Sequence, residues 1–202
     1  MKKISTYSLS VALTHKINQH VQREGKDLQK MLLGMQILLH NIPKMILIIT
    51  VSYFLGILPQ TLITWFSFAI IRSYASGLHA NNGITCAIMS LIMFVAIPYS
   101  LQGIYIINAA ALVLFFVIAM FGLYKYAPAD TAARPIIGKN KRVRLKKRAL
   151  AASIVLLVIA LLFLNENHYV LVTTGVSYAL ICILPITYKL MKRSMNNYEQ
   201  HE

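Results

Sequence analysis

Six apolar runs, each close to the length that crosses a lipid bilayer, occupy most of the sequence after residue 43. A transmembrane helix needs about 20 apolar residues, with a range of roughly 17–25. Only 13% of the residues are charged, about half the share usual in soluble proteins, so one water-soluble globule cannot bury all the apolar surface. The sequence therefore predicts an all-α polytopic membrane protein with about six transmembrane helices. The runs cover residues 44–58, 61–78, 84–100, 103–124, 149–164 and 168–188.

The first 42 residues have a different pattern, with apolar side chains at helical spacing and polar residues between them. This pattern predicts an amphipathic helix at the membrane surface, interrupted at Gly25, and a second helix that ends or kinks at Pro43. No apolar run of signal-peptide type follows the basic N-terminus, so we expect insertion through internal helices. We expect one integral domain over residues 1–202, with an interfacial segment 1–42, a six-helix bundle 43–188 and a cytoplasmic tail 189–202.

The positive charges predict the orientation. With the N-terminus inside, 18 of the 20 Lys and Arg residues fall on cytoplasmic segments, and Lys44 and Arg72 lie towards the cytoplasmic ends of their runs. The external loops hold no Lys or Arg and only the acid Glu166. This distribution follows the positive-inside rule, so both termini and the basic loop 125–148 are expected in the cytoplasm.

His79 and Cys86 form the most informative pair in the sequence, at the cytoplasmic end of the second run and the start of the third. A thiol attacks a peptide as thiolate, and a nearby imidazole can take its proton. In one continuous helix the two would lie about 10 Å apart along the axis, but the turn signal Asn81-Asn82-Gly83 should break the helix and let them face each other. Cys86 would then lie in the first turn of a new helix, where the helix dipole favours a thiolate. Spacing alone equally allows packing or interfacial roles.

A longer pattern surrounds this pair: Arg72-x3-Ser76-Gly77-Leu78-His79-Ala80-x5-Cys86, followed later by Tyr126-Ala-Pro-Ala-Asp130-Thr and Arg134-Pro-Ile. Over essentially the whole chain, the sequence resembles the accessory gene regulator B (AgrB) family of quorum-sensing peptide processors. Ser76 departs from the glycine that this family often carries there. The resemblance implies a cysteine endopeptidase of the bacterial plasma membrane that uses a dyad of His79 and Cys86 on the cytoplasmic side.

The resemblance also implies the substrate and the reaction. The substrate would be a small pro-peptide with an acidic C-terminal tail. The enzyme would remove this tail through an acyl-enzyme thioester and promote cyclisation of the core to a thiolactone or lactone. A homodimer is implied as well, and no cofactor.

Other polar residues are weaker candidates for substrate binding, and each has a structural alternative. Arg72 binds substrate or snorkels to the interface. Asp130 and Arg134 are four residues apart and are expected to pair across a helix turn. Ser76, Gly77, Asn81 and Asn82 either surround the reacting carbonyl or simply form a turn. Cys182, inside an apolar run, is expected to pack, and no histidine outside the dyad is expected to bind metal. A basic cluster contains Lys141, Arg142, Arg144, Lys146 and Lys147. It either determines the topology or binds an acidic peptide tail or anionic lipid.

Three classes of function remain open from the residues. A processing peptidase suits a polar cluster at the cytoplasmic edge, whereas a peptide exporter usually shows internal repeats or broken helices at the midplane. A scaffold that binds anionic lipid is the third class. Nucleic-acid binding is not expected, because the basic run lacks interleaved aromatic residues.

Overall fold

The structure, a computed structural model, describes residues 6–78, 83–103, 108–131, 136–162, 168–195 and 197. Within these residues the chain is overwhelmingly helical, and its isolated β-bridge is a parallel pairing of Ser76 with Ala129. This confirms the predicted all-α class. The helices are α1 (Thr6–Val21), α2 (Gly25–Phe54), α3 (Leu58–Ala75), α4 (Gly83–Leu91), a π-helical segment (Ile92–Ala96), α5 (Ile97–Ser100), α6 (Ala109–Tyr126), α7 (Lys139–Leu162), α8 (His168–Ile181) and α9 (Pro185–Leu190).

In the part of the chain that the structure describes, three helical stretches are long and apolar enough to cross a membrane: Gly25–Phe54, Gly83–Ser100 and Ala109–Tyr126. The other predicted runs correspond to α3, α7, and α8 with α9, which are more polar or shorter. Helix α3 contains buried polar residues and an arginine, and α7 begins within the basic cluster. An integral membrane protein is thus supported, while the number of six spans stays a prediction.

Two boundaries differ from those predicted in the sequence. Helix α2 does not end at Pro43, which lies in its interior. Proline is tolerated inside membrane helices when other groups satisfy the freed carbonyl. Helix α7 begins at Lys139, so residues 139–148 are helical rather than part of a loop, because Lys, Arg, Leu and Ala are good helix formers.

The third difference concerns the last apolar run. Residues 168–188 are not one helix, because the chain leaves the helical conformation between Ile181 and Pro185. Pro185 disfavours a helical conformation in Leu184, whose ψ of 140° is extended. The break leaves backbone carbonyls available for other partners.

The chain divides into two compact units, residues 1–51 and 52–202. In the first unit α1 and most of α2 are joined by residues 22–24, where Asn18 accepts from the Arg23 backbone N–H at 2.7 Å. In the second unit α3, α6, α7 and α8 share one apolar core. Small residues bring helices close there: a Cβ on Gly175 of α8 would lie 2.7 Å from Cβ of Ser67 in α3. Large apolar side chains such as Phe121 face outwards, as expected towards lipid.

Candidate active site between helices α3 and α4

Arg72 closes the C-terminal end of α3 with its side chain. Its guanidinium donates from Nη1 to the Ser76 carbonyl at 2.8 Å and from Nη2 to the Gly77 carbonyl at 3.1 Å. Nη2 also donates to the Leu78 carbonyl. All three carbonyls belong to the turn that follows α3, and a planar guanidinium can satisfy several carbonyls at once. These bonds place the half-buried Arg72 against the backbone of its own chain.

Ser76 and Gly77 turn the chain sharply out of α3. Ser76 has a φ of 57°, unusual for a non-glycine residue, and its N–H donates to the Arg72 carbonyl at 3.0 Å. Gly77 has a φ of 108° and no room for a side chain. A Cβ built on Gly77 would lie 2.6 Å from both Nη1 of Arg72 and the carbonyl oxygen of Cys182. The glycine is therefore required by conformation and by close approach.

Leu78 is held by both of its backbone polar groups. Its N–H donates to the Cys182 carbonyl at 3.0 Å, and its carbonyl accepts from Arg72. Its side chain is buried. The Leu78 carbonyl belongs to the peptide group that joins residue 78 to residue 79. The backbone just before His79 is therefore held by hydrogen bonds. His79 itself lies outside the described residues.

The segment around Asp130, which carries the second sequence motif, is hydrogen-bonded to this turn. The Ala129 N–H donates to the Ala75 carbonyl at 2.9 Å, and the Gly77 N–H donates to the Ala129 carbonyl at 2.8 Å. Residues 127–131 are not helical, so Asp130 does not lie in a helix turn, and its pairing with Arg134 stays a prediction. Pro128 lies in this segment and disfavours a helix, and the bonds of Ala129 to Ala75 and Gly77 take the place of helical ones. Arg134 lies outside the described residues.

Asp130 is buried, 3% exposed, and faces the C-terminal part of the chain. Its Oδ1 accepts from the Asn197 backbone N–H at 3.0 Å and from Nδ2 of Asn197 at 3.3 Å. Its backbone carbonyl accepts from the hydroxyl of Tyr188 at 2.8 Å. Tyr188 and Asn197 are themselves buried. The Asp130 Oδ1 is thus hydrogen-bonded inside the protein, and a role of Asp130 in substrate binding stays a prediction.

Cys86 lies in the first turn of α4, as the sequence predicts, because α3 ends at Ala75 and α4 begins at Gly83. The thiol is partly exposed, and Arg72 is near enough to interact electrostatically with the side chains of Cys86 and Cys182. The turn residues Asn81 and Asn82 lie outside the described residues.

Cys182 contributes to the site through its backbone, where the sequence predicted only packing. It follows the last residue of α8, and its carbonyl accepts from Leu78. Among the residues that the structure describes, no group of three or more His, Cys, Asp or Glu side chains is placed to hold a metal ion.

The basic cluster separates into engaged and exposed side chains. Arg142 donates to the Ile136 carbonyl at 3.2 Å, and the Lys146 ammonium lies 5.2 Å from the centroid of the Tyr124 ring in α6. Lys141 is exposed at the start of α7. The remaining cations lie along an open groove of about 470 Å³. Its lining residues are Asn140, Val143, Arg144, Lys147, Arg148 and Ala151.

Sequence reasoning missed Tyr188, Asn197 and the backbone of Cys182. Pro185 was an available signal, since a proline inside an apolar run predicts that the preceding residue leaves the helix. No local pattern marks Asn197, whose partner Asp130 is far away in the sequence.

The protein is an α-helical membrane protein whose candidate site combines a hydrogen-bonded turn with a partly exposed cysteine. Comparisons with known proteins identify its family. A family model described as Accessory gene regulator B matches residues 10–188. The chain is 37% identical over 194 residues to an AgrB-like protein of Clostridium acetobutylicum, covering 96% of this chain and 92% of the relative. The chain belongs to the AgrB family.

Two further relatives agree. An AgrB-like protein of Listeria monocytogenes is 37% identical over 84% of this chain and 82% of its own length. The accessory gene regulator protein B of Staphylococcus aureus is 36% identical over 77% of this chain and 82% of its own length. No solved structure matches the chain.

Proposed function

We propose that this protein is a membrane-embedded cysteine endopeptidase that removes the C-terminal tail of a small pro-peptide and promotes cyclisation of the remaining core. Membership of the AgrB family supports a role in the accessory gene regulator quorum-sensing system, and this proposal specifies the chemistry. Cys86 is the nucleophile and His79 the general base.

One observation carries the proposal: the chain reaches residue 79 from a fixed peptide group, and Cys86 follows within the first turn of the next helix. A general base must lie within hydrogen-bond reach of the proton that it accepts. Fixing the backbone before the imidazole limits the positions that the imidazole can occupy.

The reaction then proceeds in two steps. His79 takes the proton from Cys86, and the thiolate attacks the carbonyl carbon at the end of the substrate core. The peptide bond breaks, His79 returns the proton to the new amine, and the tail leaves. A cysteine or serine within the core next gives its proton to His79 and attacks the thioester carbonyl. The bond to Cys86 breaks, a thiolactone or lactone closes, and the released Cys86 thiolate takes the proton back from His79. No water is consumed, so a site shielded from water would favour the ring over hydrolysis.

The test is co-expression with the pro-peptide encoded beside the gene, followed by mass analysis of the products. Cys86→Ala and Cys86→Ser should each abolish tail removal, and His79→Ala should nearly do so, because a thiol of pKa about 8.5 is only a few per cent ionised at neutral pH. Cys182→Ala is the matched control. It should be nearly silent, because alanine keeps the carbonyl that accepts from Leu78.

A substrate whose own nucleophile is replaced by alanine separates the two steps. Its tail should still be removed, and the core should accumulate on the enzyme as a thioester that hydroxylamine releases. Full cleavage by the Cys86→Ala variant would contradict the peptidase and favour an exporter or a lipid-binding scaffold.

A further inference from the structure

Three residues near the C-terminus are hydrogen-bonded either to the turn after α3 or to the segment that packs against this turn. Cys182 accepts the N–H of Leu78, Tyr188 donates its hydroxyl to the Asp130 carbonyl, and Asn197 donates to the Asp130 carboxylate. We name Cys182, Tyr188 and Asn197 the C-terminal brace. We propose that the C-terminal brace positions the His79 base, so that Tyr188 and Asn197 are positioning residues for the reaction. This inference rests on the proposed function.

The first connection of the C-terminal brace to His79 runs through Leu78. Leu78 precedes His79, and its N–H bond to Cys182 anchors the exit from α3 to the break between α8 and α9. In a continuous helix the Cys182 carbonyl would accept from the N–H of residue 186 and could not serve Leu78 in the same way. The break therefore exposes the acceptor that the turn needs.

The second step runs through residues 129 and 130. Ala129 is hydrogen-bonded to Ala75 and Gly77 on either side of Ser76. Asp130 is then held at its carbonyl by Tyr188 and at its carboxylate by Asn197. Each of these bonds is buried, where losing a partner is costly, so the bridge cannot shift without breaking them.

Asn197 brings two donors to one oxygen of Asp130. Its backbone N–H and its Nδ2 both donate to the same Asp130 oxygen, and Nδ2 also donates to the Ser194 carbonyl at 3.0 Å. A buried oxygen that loses its donors is costly to leave unsatisfied. The tail near residue 197 is thereby fixed to the motif that supports the turn.

The experiment measures Cys86 directly in the purified full-length protein in detergent. Iodoacetamide alkylation of Cys86 is followed by peptide mass spectrometry from pH 6 to about pH 10, because only the thiolate reacts. In Tyr188→Phe/Asn197→Ala, alkylation at pH 7 should fall about fivefold and converge with wild type above pH 9. Tail removal at pH 7 should fall about tenfold, less than the ~100-fold or more expected for loss of the base. Thr187→Ala is the matched control, since Thr187 donates to the Ile181 carbonyl at 2.6 Å without contacting residues 127–131.

The outcomes are distinguishable. A changed alkylation profile in the double variant, resembling that of His79→Ala and absent from Thr187→Ala, supports the brace. An unchanged profile and rate, with Cys86→Ala inactive, overturns the brace but leaves the peptidase intact. Tail removal by Cys86→Ala overturns both. If the double variant does not fold, Tyr188→Phe alone decides, because it removes one hydroxyl and keeps the buried ring.

Discussion

The backbone N–H of Leu78 donates to the carbonyl of Cys182 at 3.0 Å, which joins the end of α3 to the break between α8 and α9. The Leu78 carbonyl is engaged by Arg72 on the other side. Leu78 is thus held by one backbone partner and one side-chain partner. A change of the Cys182 side chain leaves its carbonyl in place, whereas a change of the Arg72 side chain removes a donor.

Gly77→Ala should sharply reduce tail removal. The added Cβ would lie 2.6 Å from both Nη1 of Arg72 and the Cys182 carbonyl, and 3.0 Å from Cγ2 of Ile183. Two of these neighbours hold Leu78, so the methyl group must displace the bonds that fix the turn. Product mass analysis and the thermal stability of the purified variant measure both effects.

Gly56→Ala is the matched control for this change. Gly56 also has a positive φ, 69°, but nothing lies within 4 Å of its added Cβ. It should cost about 1 kcal/mol through backbone strain alone and leave tail removal nearly unchanged. Equal losses in the two variants would show that φ, rather than close approach, makes Gly77 necessary.

Arg72→Lys should reduce tail removal although it keeps the positive charge. One ammonium cannot reproduce the fork that reaches the carbonyls of Ser76, Gly77 and Leu78. We expect a loss of about 2 kcal/mol in stability, in the range for hydrogen bonds to charged groups. Ser73→Ala, which removes an exposed bond to the Ile70 carbonyl, is the control. A raised KM with unchanged stability would instead indicate that Arg72 binds substrate.

Much of this site was predictable because its signals are local. The turn residues before Gly83 predict the helix break, and the distance from Gly83 to Cys86 predicts a cysteine in the first turn. The bonds of Arg72 to the turn after α3 were harder to predict, since an arginine near a membrane interface has several possible partners. The bonds of Asp130 to Tyr188 and Asn197 link distant segments, and no periodicity or spacing encodes such contacts.

The orientation of the chain gives a prediction from charge. In a Cys86→Ala/Cys182→Ala background, a cysteine at Asn140 should be labelled by a membrane-impermeant reagent only after the cells are opened. A cysteine at Gln102 should be labelled in intact cells. Both positions are exposed in the structure, so access to reagent depends on the side of the membrane. Efficient labelling of position 140 from outside would contradict the cytoplasmic location of the basic segment and of the dyad.

The groove along α7 gives the last prediction, which concerns recruitment of an acidic tail. Arg144 and Lys147 line the groove and are exposed, whereas Arg142 and Lys146 already contact Ile136 and Tyr124. Arg144→Glu/Lys147→Glu should raise the Kd for a Glu-rich tail peptide about tenfold at low salt, as expected when a few exposed charge pairs are reversed. The difference from wild type should shrink as salt rises, because exposed charges are screened over about 8 Å at physiological ionic strength.

The matched control for the groove is Lys139→Glu/Lys141→Glu. It makes the same change of charge at the start of the same helix, on exposed residues that do not line the groove. Binding should weaken less in this pair if the peptide lies in the groove. Equal weakening would show that only the total charge of α7 matters. Unchanged binding in both pairs, together with reduced association of the protein with vesicles of anionic phospholipid, would instead assign these cations to the membrane surface.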